Sequence, residues 1–380
     1  MPSWNVHFDT YVTNEDPQVT SLVAECKALA TVIRNVPITP RRQKKLDTLN
    51  ILRAVRGTTG IEGAQLSEEE VRQIMSSPRG KPALPPTRQR EELEARNAQR
   101  LMHYVARLLA RSPGCPMSEQ LIRKLHEITT REVDYPANTP GQYRTHAVSA
   151  GSYLPPADGN EVRNLMAQFV TWFNQGTPKG WDAVIRALVA HFYVVSIHPF
   201  GDGNGRTSRA LESFLLYKAG INARGFYSLA NYYYQHRIAY VQNLTRVRFE
   251  TDPDLTPFVL FALQGLAAEL REVHREVLLE VRDIAFRDYA REALQDRLAT
   301  RAGERMLNLV LLLGDGAVPL GDIRQGRHRL AALYRGLTNK TLSRDVNYLS
   351  EIQLILSENG AIRANLEIMD RYVPPYDLMQ

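Results

Sequence analysis

The segment Ala183–Ile197 is the feature that most restricts how this chain can fold. Its side chains are apolar at nearly every position, and the exceptions are Arg186, His191 and Ser196. A helix that is apolar all around its circumference needs other elements on every side to cover it. We therefore predict that this segment is the central helix of a helical bundle, and that the residues directly after it are held rigidly.

Apolar residues at helical spacing recur along most of the chain, which indicates a mainly α fold. Helices are predicted at residues 16–36, 41–56, 88–111, 118–131, 204–219, 231–249 and 254–293. Ser67 and Glu70 have the spacing of a capping box, which predicts another short helix. The proline- and glycine-rich segments 77–87 and 135–156 interrupt the helices, and residues 143–148 are the best candidates for a strand in a small hairpin.

The pattern changes in the last part of the chain. We predict a helix over residues 301–313, two compact helices within 318–336 and one more helix over 338–351. The dipeptide Asn359-Gly360, between two short apolar segments, is typical of a tight hairpin. This order of elements resembles a winged helix-turn-helix domain, in which the hairpin is the wing.

Composition narrows the class of protein. The chain has 380 residues, of which 44% are hydrophobic and 23% charged, as in globular proteins with more than one folding unit. The longest apolar stretch, residues 187–197, is too short to span a bilayer, and residues 1–5 lack the features of a secretory signal. We expect a cytoplasmic protein without a membrane partner. The net charge of +6 suits an anionic ligand but does not identify one.

The sequence HPFGDGNGRTSR at residues 198–209 predicts an anion-binding site. Pro199 cannot continue the preceding helix, and the three glycines that follow allow backbone N–H groups to turn inward. A new helix beginning near Asn204 would add its own N-terminal N–H groups to the site. Arg206 and Arg209 would then lie on one face of its first turns, where they can bind further phosphate oxygens.

Two more side chains of this segment indicate a reaction. Asp202 offers a hard oxygen ligand where a divalent cation, most naturally Mg²⁺, would bridge phosphates. His198 has an ordinary pKa of about 6.5, so its imidazole can take a proton from an attacking hydroxyl near neutral pH. These residue types in this order predict transfer of a phosphoryl or nucleotidyl group.

The segment resembles the signature of the Fic family, HPFxDGNGRxxR, at every fixed position. The flanking segments 140–144 and 153–156 also resemble Fic domains, and the likeness extends over residues 40–250. The resemblance implies a Fic-type helical bundle with a small β-hairpin flap around residues 145–152, which aligns a target segment by main-chain pairing. It implies an enzyme that uses ATP and Mg²⁺ to transfer AMP to a Ser, Thr or Tyr hydroxyl of a protein, and it allows self-modification.

The resemblance also implies a role for each residue of the site. His198 is the base, Asp202 is the Mg²⁺ ligand, and Phe200 fills the core beneath the loop. The α-phosphate binds at Gly203, Asn204 and Gly205, whereas Arg206 and Arg209 bind the β- and γ-phosphates. Tyr227 and the run Tyr232-Tyr233-Tyr234 are candidates to flank the adenine, and we select Tyr233 from them.

Residues 58–63, TTGIEG, fit the inhibitory motif [S/T]xxxE[G/N] that many Fic proteins carry, through Thr58, Glu62 and Gly63. A pair between Glu62 and Arg209 would occupy the guanidinium that binds the γ-phosphate. The resemblance therefore implies an autoinhibited enzyme, in which loss of Glu62 raises activity. In some Fic proteins this glutamate also supports removal of AMP from the target, and that reaction stays open here.

On this basis we divide the chain into an N-terminal helical region with the inhibitory helix (1–90), a Fic catalytic domain (91–250), a helical connector (251–300) and a winged helix-turn-helix domain (301–380). One alternative is a DNA-binding regulator, because Lys340 and Arg344 would be exposed on the second helix of that last domain. Another is a Fic enzyme that transfers UMP, phosphate or phosphocholine. The family resemblance also allows a homodimer.

Overall fold

The computed structural model describes residues 6–13, 15–78, 80–176, 180–221, 229–249, 253–314 and 316–372. The chain is mainly helical and divides into two compact units, Met1–His274 and Arg275–Gln380. The first unit contains the predicted N-terminal and catalytic segments together, and the division falls within the predicted connector. Among the described helices, none has the length and apolar character needed to cross a membrane.

The helices of the first unit follow the predicted pattern closely. Those before the apolar segment are α1 (Pro17–Asn35), α2 (Pro40–Ile61), α3 (Glu68–Ser76), α4 (Gln89–Arg111), α5 (Glu119–Thr129) and α6 (Gly159–Thr171). The helices that follow are α7 (Ala183–Ile197), α8 (Asn204–Lys218), α9 (Ala230–Gln235) and α10 (Arg237–Phe249), and α11 (Thr256–Ala293) begins in this unit and ends in the second. The predicted capping box opens α3. The structure differs from the prediction in two details. α2 continues to Ile61, and the helix predicted at 231–249 is interrupted at His236.

The apolar segment is the centre of this unit, as predicted. Asp182 caps the start of α7 by accepting a hydrogen bond from the Val184 N–H, and every residue of α7 except Ala183 and Arg186 is buried. α7 ends at His198, whose backbone has a left-handed φ of 53°, and Pro199 prevents further helix. The residues after α7 are therefore held by a helix that is packed on all sides.

Close packing fixes the end of α2 against α9. A Cβ added to Gly57 would lie 2.6 Å from the backbone of Ala230, and one added to Gly60 would meet the ring of Tyr234. Only glycine allows α2 to approach at this distance. The residues that follow on α2, from Thr58 to Glu62, are therefore placed by tight helix packing.

The flap differs from the prediction. Residues 143–148 form no regular strand, and the segment is closed by one antiparallel bridge between Ala150 and Tyr153. Gly151 provides the positive φ of 61° in the turn between them. A strand needs a neighbour to pair with its backbone groups, and this segment lies among loops and helix ends. The predicted hairpin is therefore a short turn with an extended, irregular arm.

The second unit contains a small antiparallel sheet. Its further elements are α12 (Arg301–Leu313), β1 (Val318–Pro319), α13 (Leu320–Arg324), α14 (Asn339–Glu351), β2 (Ile355–Glu358) and β3 (Ala361–Ala364). The strand order is β1-β3-β2, and β2 pairs with β3 through the predicted Asn359-Gly360 turn. The second compact helix predicted within 318–336 is a 3-10 helix at Arg329–Tyr334. β1 is too short to have been recognised from its sequence.

Candidate active site

The anion loop, residues 198–205, joins α7 to α8. Gly203 has a φ of 75° and precedes α8, and no side chain caps the first turn of that helix. The N-terminal N–H groups of α8 are therefore available to an anion. Asn204 closes the loop from within, because its side-chain oxygen accepts from the Phe200 N–H and its amide donates to the Phe200 carbonyl, both at 2.9 Å. The predicted phosphate contact of Asn204 is thus limited to its backbone.

His198 presents one free ring nitrogen to this loop. Its Nδ1 lies 3.1 Å from the Val195 carbonyl oxygen, which can only accept, so Nδ1 carries the proton and Nε2 has the lone pair. Burial, reinforced by the positive charges of Arg248 and Arg144, lowers the pKa of His198 to about 4. The ring is therefore neutral at physiological pH, which is the state that a general base requires.

Arg144 connects His198 to the flap, a contact that the sequence did not reveal. Its side chain is 3% exposed, and its Nε donates to the His198 carbonyl at 2.7 Å. Its two terminal nitrogens donate to the carbonyl of His146 at 2.7 Å and to that of Pro156 at 2.6 Å. One buried guanidinium therefore holds both ends of the flap against the residue that ends α7.

Asp202 fits the predicted cation ligand. Its side chain is 40% exposed beside the start of α8, and Oδ1 accepts from the Gly203 N–H and from Arg206 at 3.3 Å. The described residues contain no group of three or more His, Cys, Asp or Glu that could hold a metal. Mg²⁺ commonly binds through one or two carboxylates plus substrate phosphates, so a single carboxylate here suits an ion shared with a nucleotide.

The backbone of Asp202 is held from below by α5 and the loop after it. His126 is fully buried and stacks on Phe200 with ring centroids 3.7 Å apart. Its Nδ1 accepts from the Gly141 N–H at 2.9 Å, so its Nε2 donates to the Asp202 carbonyl at 3.0 Å. Asn138 accepts from the Asp202 N–H at 3.1 Å. The sequence could have indicated this contact, because it places His126 on the apolar face of the predicted helix at 118–131.

Arg209 is held by the inhibitory motif. Its side chain is 2% exposed, its Nε donates to the Thr58 hydroxyl at 3.0 Å, and one terminal nitrogen donates to the Thr58 carbonyl at 3.1 Å. The same terminal nitrogen lies 2.6 Å from Oε1 of Glu62. The structure therefore brings Arg209 onto Thr58 and Glu62, which lie 151 and 147 residues earlier in the sequence.

The carboxylate of Glu62 also fills the space beside the anion loop. A Cβ added to Gly205 would lie 2.4 Å from Glu62 Oε1, so the carboxylate rests directly on the first turn of α8. Burial would raise the pKa of Glu62, but the charges of Arg209 and Arg206 outweigh it and hold the pKa below its usual value. Gly63, which follows, has a φ of 104° and open space around it. The negative charge of Glu62 thus occupies the region where a phosphate would bind.

Tyr233 does not lie in the site, and its selection as the adenine contact is wrong. The side chain is fully buried, its hydroxyl donates to Glu212 at 2.9 Å, and its ring stacks on Tyr240 at 4.6 Å. A ring covered on all sides by the bundle cannot receive a nucleotide base. Its position on the short helix α9 is a packing position, as aromatic rows on helices often are. Tyr227 lies outside the described residues.

Residues 116–216 match the sequence profile of the Fic/DOC family. The chain is also similar to proteins named protein adenylyltransferase Fic. It is 31% identical to that of Culex quinquefasciatus over 204 residues, which are 54% of this chain and 38% of that protein. It is 37% identical to that of Aedes aegypti over 121 residues, which are 32% of this chain and 22% of that protein. The chain therefore spans less than half the length of these relatives.

Solved structures have a similar fold. A Fic family protein from Desulfovibrio desulfuricans G20 has a TM-score of 0.56 at 21% identity, and the likeness covers 96% of this chain and 98% of that one. Fic-1 from C. elegans has a TM-score of 0.53 at 22% identity, covering 68% of this chain and 71% of that one. Identities this low support the fold alone.

We expect His198 to reduce the stability of the protein in mild acid. Burial lowers its pKa to about 4 in the folded chain, whereas an unfolded histidine has a pKa of about 6.5. The unfolded chain binds more protons between these values, so the free energy of unfolding contributed by this residue falls as the pH drops from about 6.5 towards 4.

Urea unfolding of the unmodified chain and of His198→Asn, at about pH 7.5 and about pH 5, measures this effect. Asparagine tolerates the left-handed backbone at this position, so the substitution removes the titrating ring without strain. The unmodified chain should lose more stability than the variant over this interval. Equal losses would contradict a depressed pKa at His198.

Proposed function

We propose that this chain, whose residues 116–216 match the Fic/DOC family, is a protein adenylyltransferase, which transfers AMP from ATP to a hydroxyl side chain of a protein. The observation that carries this proposal is the position of His198. Its free Nε2 lies at the end of α7, beside an anion loop whose helix N-terminus is uncapped. A neutral base beside a preformed phosphate site is the arrangement that transfer to a hydroxyl requires.

The proposed reaction is a displacement at the α-phosphorus. His198 Nε2 takes the proton of the target hydroxyl, and the hydroxyl oxygen forms a bond to the α-phosphorus. The bond from that phosphorus to the oxygen bridging to the β-phosphate breaks, and pyrophosphate leaves. The backbone N–H groups of Asn204 and Gly205 hold the α-phosphate, and Arg206 and Arg209 hold the outer phosphates. The Gly203 N–H, also predicted to bind the α-phosphate, donates to Asp202 Oδ1 in this structure.

Asp202 is the residue that would hold Mg²⁺ in this reaction. The ion, when bound, neutralises phosphate charge and favours departure of pyrophosphate. The protein's own part is to orient the carboxylate, which His126 and Asn138 support through the backbone of Asp202. The flap held by Arg144 would align the target protein, which can be another copy of this chain. Cytoplasmic location and a homodimer remain predictions from the sequence.

We also propose that Glu62 keeps the enzyme inactive. The γ-phosphate of ATP and the Glu62 carboxylate would compete for one guanidinium, that of Arg209, which is bound to Glu62 in this structure. Arg209 has no exposed surface on which to bind both anions, since its side chain is 2% exposed. With the γ-phosphate displaced, the α-phosphate would not align with the attacking hydroxyl. Removal of Glu62 should therefore increase transfer.

The test compares Glu62→Gly, His198→Asn and the double variant with the unmodified chain. Each is incubated with magnesium and ATP labelled at the α-phosphate, alone and with a cell lysate, and label on protein is measured. We expect Glu62→Gly to label protein about tenfold more than the unmodified chain, since one charge-assisted contact is released. Adding His198→Asn should lower that labelling by about 10²- to 10⁴-fold, which is the usual contribution of a general base.

The matched control is Glu68→Ala, because Glu68 is a nearby carboxylate that is 60% exposed and pairs with Arg56 rather than Arg209. It should behave like the unmodified chain. Transfer from UTP, or of label at the γ-phosphate, would contradict AMP as the transferred group. Transfer that does not change in Glu62→Gly would contradict inhibition by Glu62 but leave the enzyme assignment intact.

A second candidate function is DNA binding by the last part of the chain. The order α12-β1-α13-α14-β2-β3 supports our interpretation of this unit as a winged helix-turn-helix. A groove of about 520 Å³ is bordered by Arg324, Arg327, Arg329 and Arg335 and by the start of α14. Residues 318–348 carry six basic side chains and two acidic ones, a local excess that favours the phosphate backbone of a nucleic acid.

We expect this unit to give the full chain a salt-dependent affinity for duplex DNA. Fluorescence anisotropy with a labelled duplex, repeated over a range of salt concentrations, gives the slope of log affinity against log salt. Each replacement, Arg324→Gln or Arg335→Gln, should reduce the magnitude of that slope by about one. Arg301→Gln, which changes an exposed arginine at the start of α12, is the control. An affinity that does not change with salt concentration, or that is the same in Arg324→Gln and Arg335→Gln as in the unmodified chain, would contradict this function.

A further inference from the structure

Arg206 lies in a buried cluster with Tyr135 and Glu94, two residues that come well before the anion loop in the sequence. Its NH1 group donates to the hydroxyl of Tyr135 at 2.6 Å and lies 3.2 Å from Oε1 of Glu94. Tyr135 in turn donates its hydroxyl hydrogen to the same Glu94 oxygen at 2.6 Å. The Tyr135 hydroxyl therefore accepts from the arginine and donates to the carboxylate, which fixes the direction of both hydrogen bonds.

The ring of Tyr135 adds a second restraint. The guanidinium carbon of Arg206 lies 5.2 Å from its centroid, and that of Arg90 lies 4.6 Å from it. Arg206, Tyr135 and Glu94 are 4%, 5% and 6% exposed. Burial would lower the pKa of Arg206, but the carboxylates of Glu62 and Glu94 keep it above its usual value. The cluster thus holds a permanently charged guanidinium in one orientation, away from bulk water.

The contacts of the guanidinium involve its two terminal nitrogens. NH1 is bound by Tyr135 and Glu94, and NH2 reaches Asp202 at 3.3 Å. The Nε of Arg206 is buried and has no hydrogen-bond partner among the described residues. A buried donor without a partner is unfavourable, so it marks a place where a ligand oxygen would stabilise the protein.

We infer that Tyr135 and Glu94 are positioning residues, which hold NH1 of Arg206 so that its Nε and NH2 are aimed at the outer phosphates of the nucleotide. This inference rests on the proposed function, which identifies the ligand as ATP. Unlike Glu62, which binds the guanidinium of Arg209 on the side of the anion loop, Glu94 binds Arg206 from α4 and leaves donors open. Glu94 therefore supports nucleotide binding, and Glu62 opposes it.

Tyr135→Phe tests this inference, because it removes only the hydroxyl and keeps the ring under both arginines. The affinities for ATP and for AMP are measured by calorimetry with magnesium, in the full chain carrying Glu62→Gly and His198→Asn so that nothing turns over. AMP lacks the outer phosphates that Arg206 would bind. We expect the ATP dissociation constant to rise about five- to tenfold and that of AMP to stay unchanged.

Tyr193→Phe is the matched control, since it also removes a buried hydroxyl, one that hydrogen-bonds Thr10 and the His7 carbonyl. It should lower stability without changing the ratio of ATP to AMP affinity. Glu94→Gln should shift that ratio in the same direction as Tyr135→Phe. Equal weakening of both nucleotides by Tyr135→Phe, or no weakening of either, would overturn the inference. Because binding is measured without turnover, this result does not depend on whether AMP transfer is found.

Discussion

The buried pair between Arg209 and the end of α2 is the interaction on which the rest of the site depends. A guanidinium that is 2% exposed needs its charge and its N–H groups satisfied, and Thr58 and Glu62 provide this. The close approach of α2 to α9 at Gly57 places these two residues, so the contact between Glu62 and Arg209 is part of the packing of the bundle. Any nucleotide that binds through Arg209 has to replace a partner that the fold itself supplies.

Arg206 and Arg209, the two arginines at the start of α8, are held in different ways. Arg209 is bound on the side where a phosphate would approach, by a carboxylate that also rests against Gly205. Arg206 is bound from behind, by Glu94 and Tyr135, and retains an unpartnered Nε among the described residues. Two ion pairs of similar appearance therefore leave different donors to a ligand, because the geometry of each decides which N–H groups keep a partner.

Much of this architecture could be predicted from the sequence, because the strongest signals are local. The apolar segment Ala183–Ile197 became α7 with both ends as predicted, and the glycine-rich signature became the loop before α8. The missed features depend on tertiary contacts. Arg144, Tyr135 and Glu94 are ordinary residues until the fold brings them to the loop, and Tyr233 was misassigned because burial is invisible in a run of tyrosines. The flap lacked strands because a pairing partner is supplied only by the surrounding structure.

The affinities of ATP and ADP show whether Glu62 keeps Arg209 from binding the γ-phosphate. Calorimetry with magnesium would give both dissociation constants for the unmodified chain and for Glu62→Gly. We expect the unmodified chain to bind ATP and ADP almost equally, because the γ-phosphate gains no contact with Arg209. In Glu62→Gly, the dissociation constant of ATP should be about tenfold lower than that of ADP. If the unmodified chain already binds ATP more tightly than ADP by the same factor, Glu62 does not keep Arg209 from the γ-phosphate.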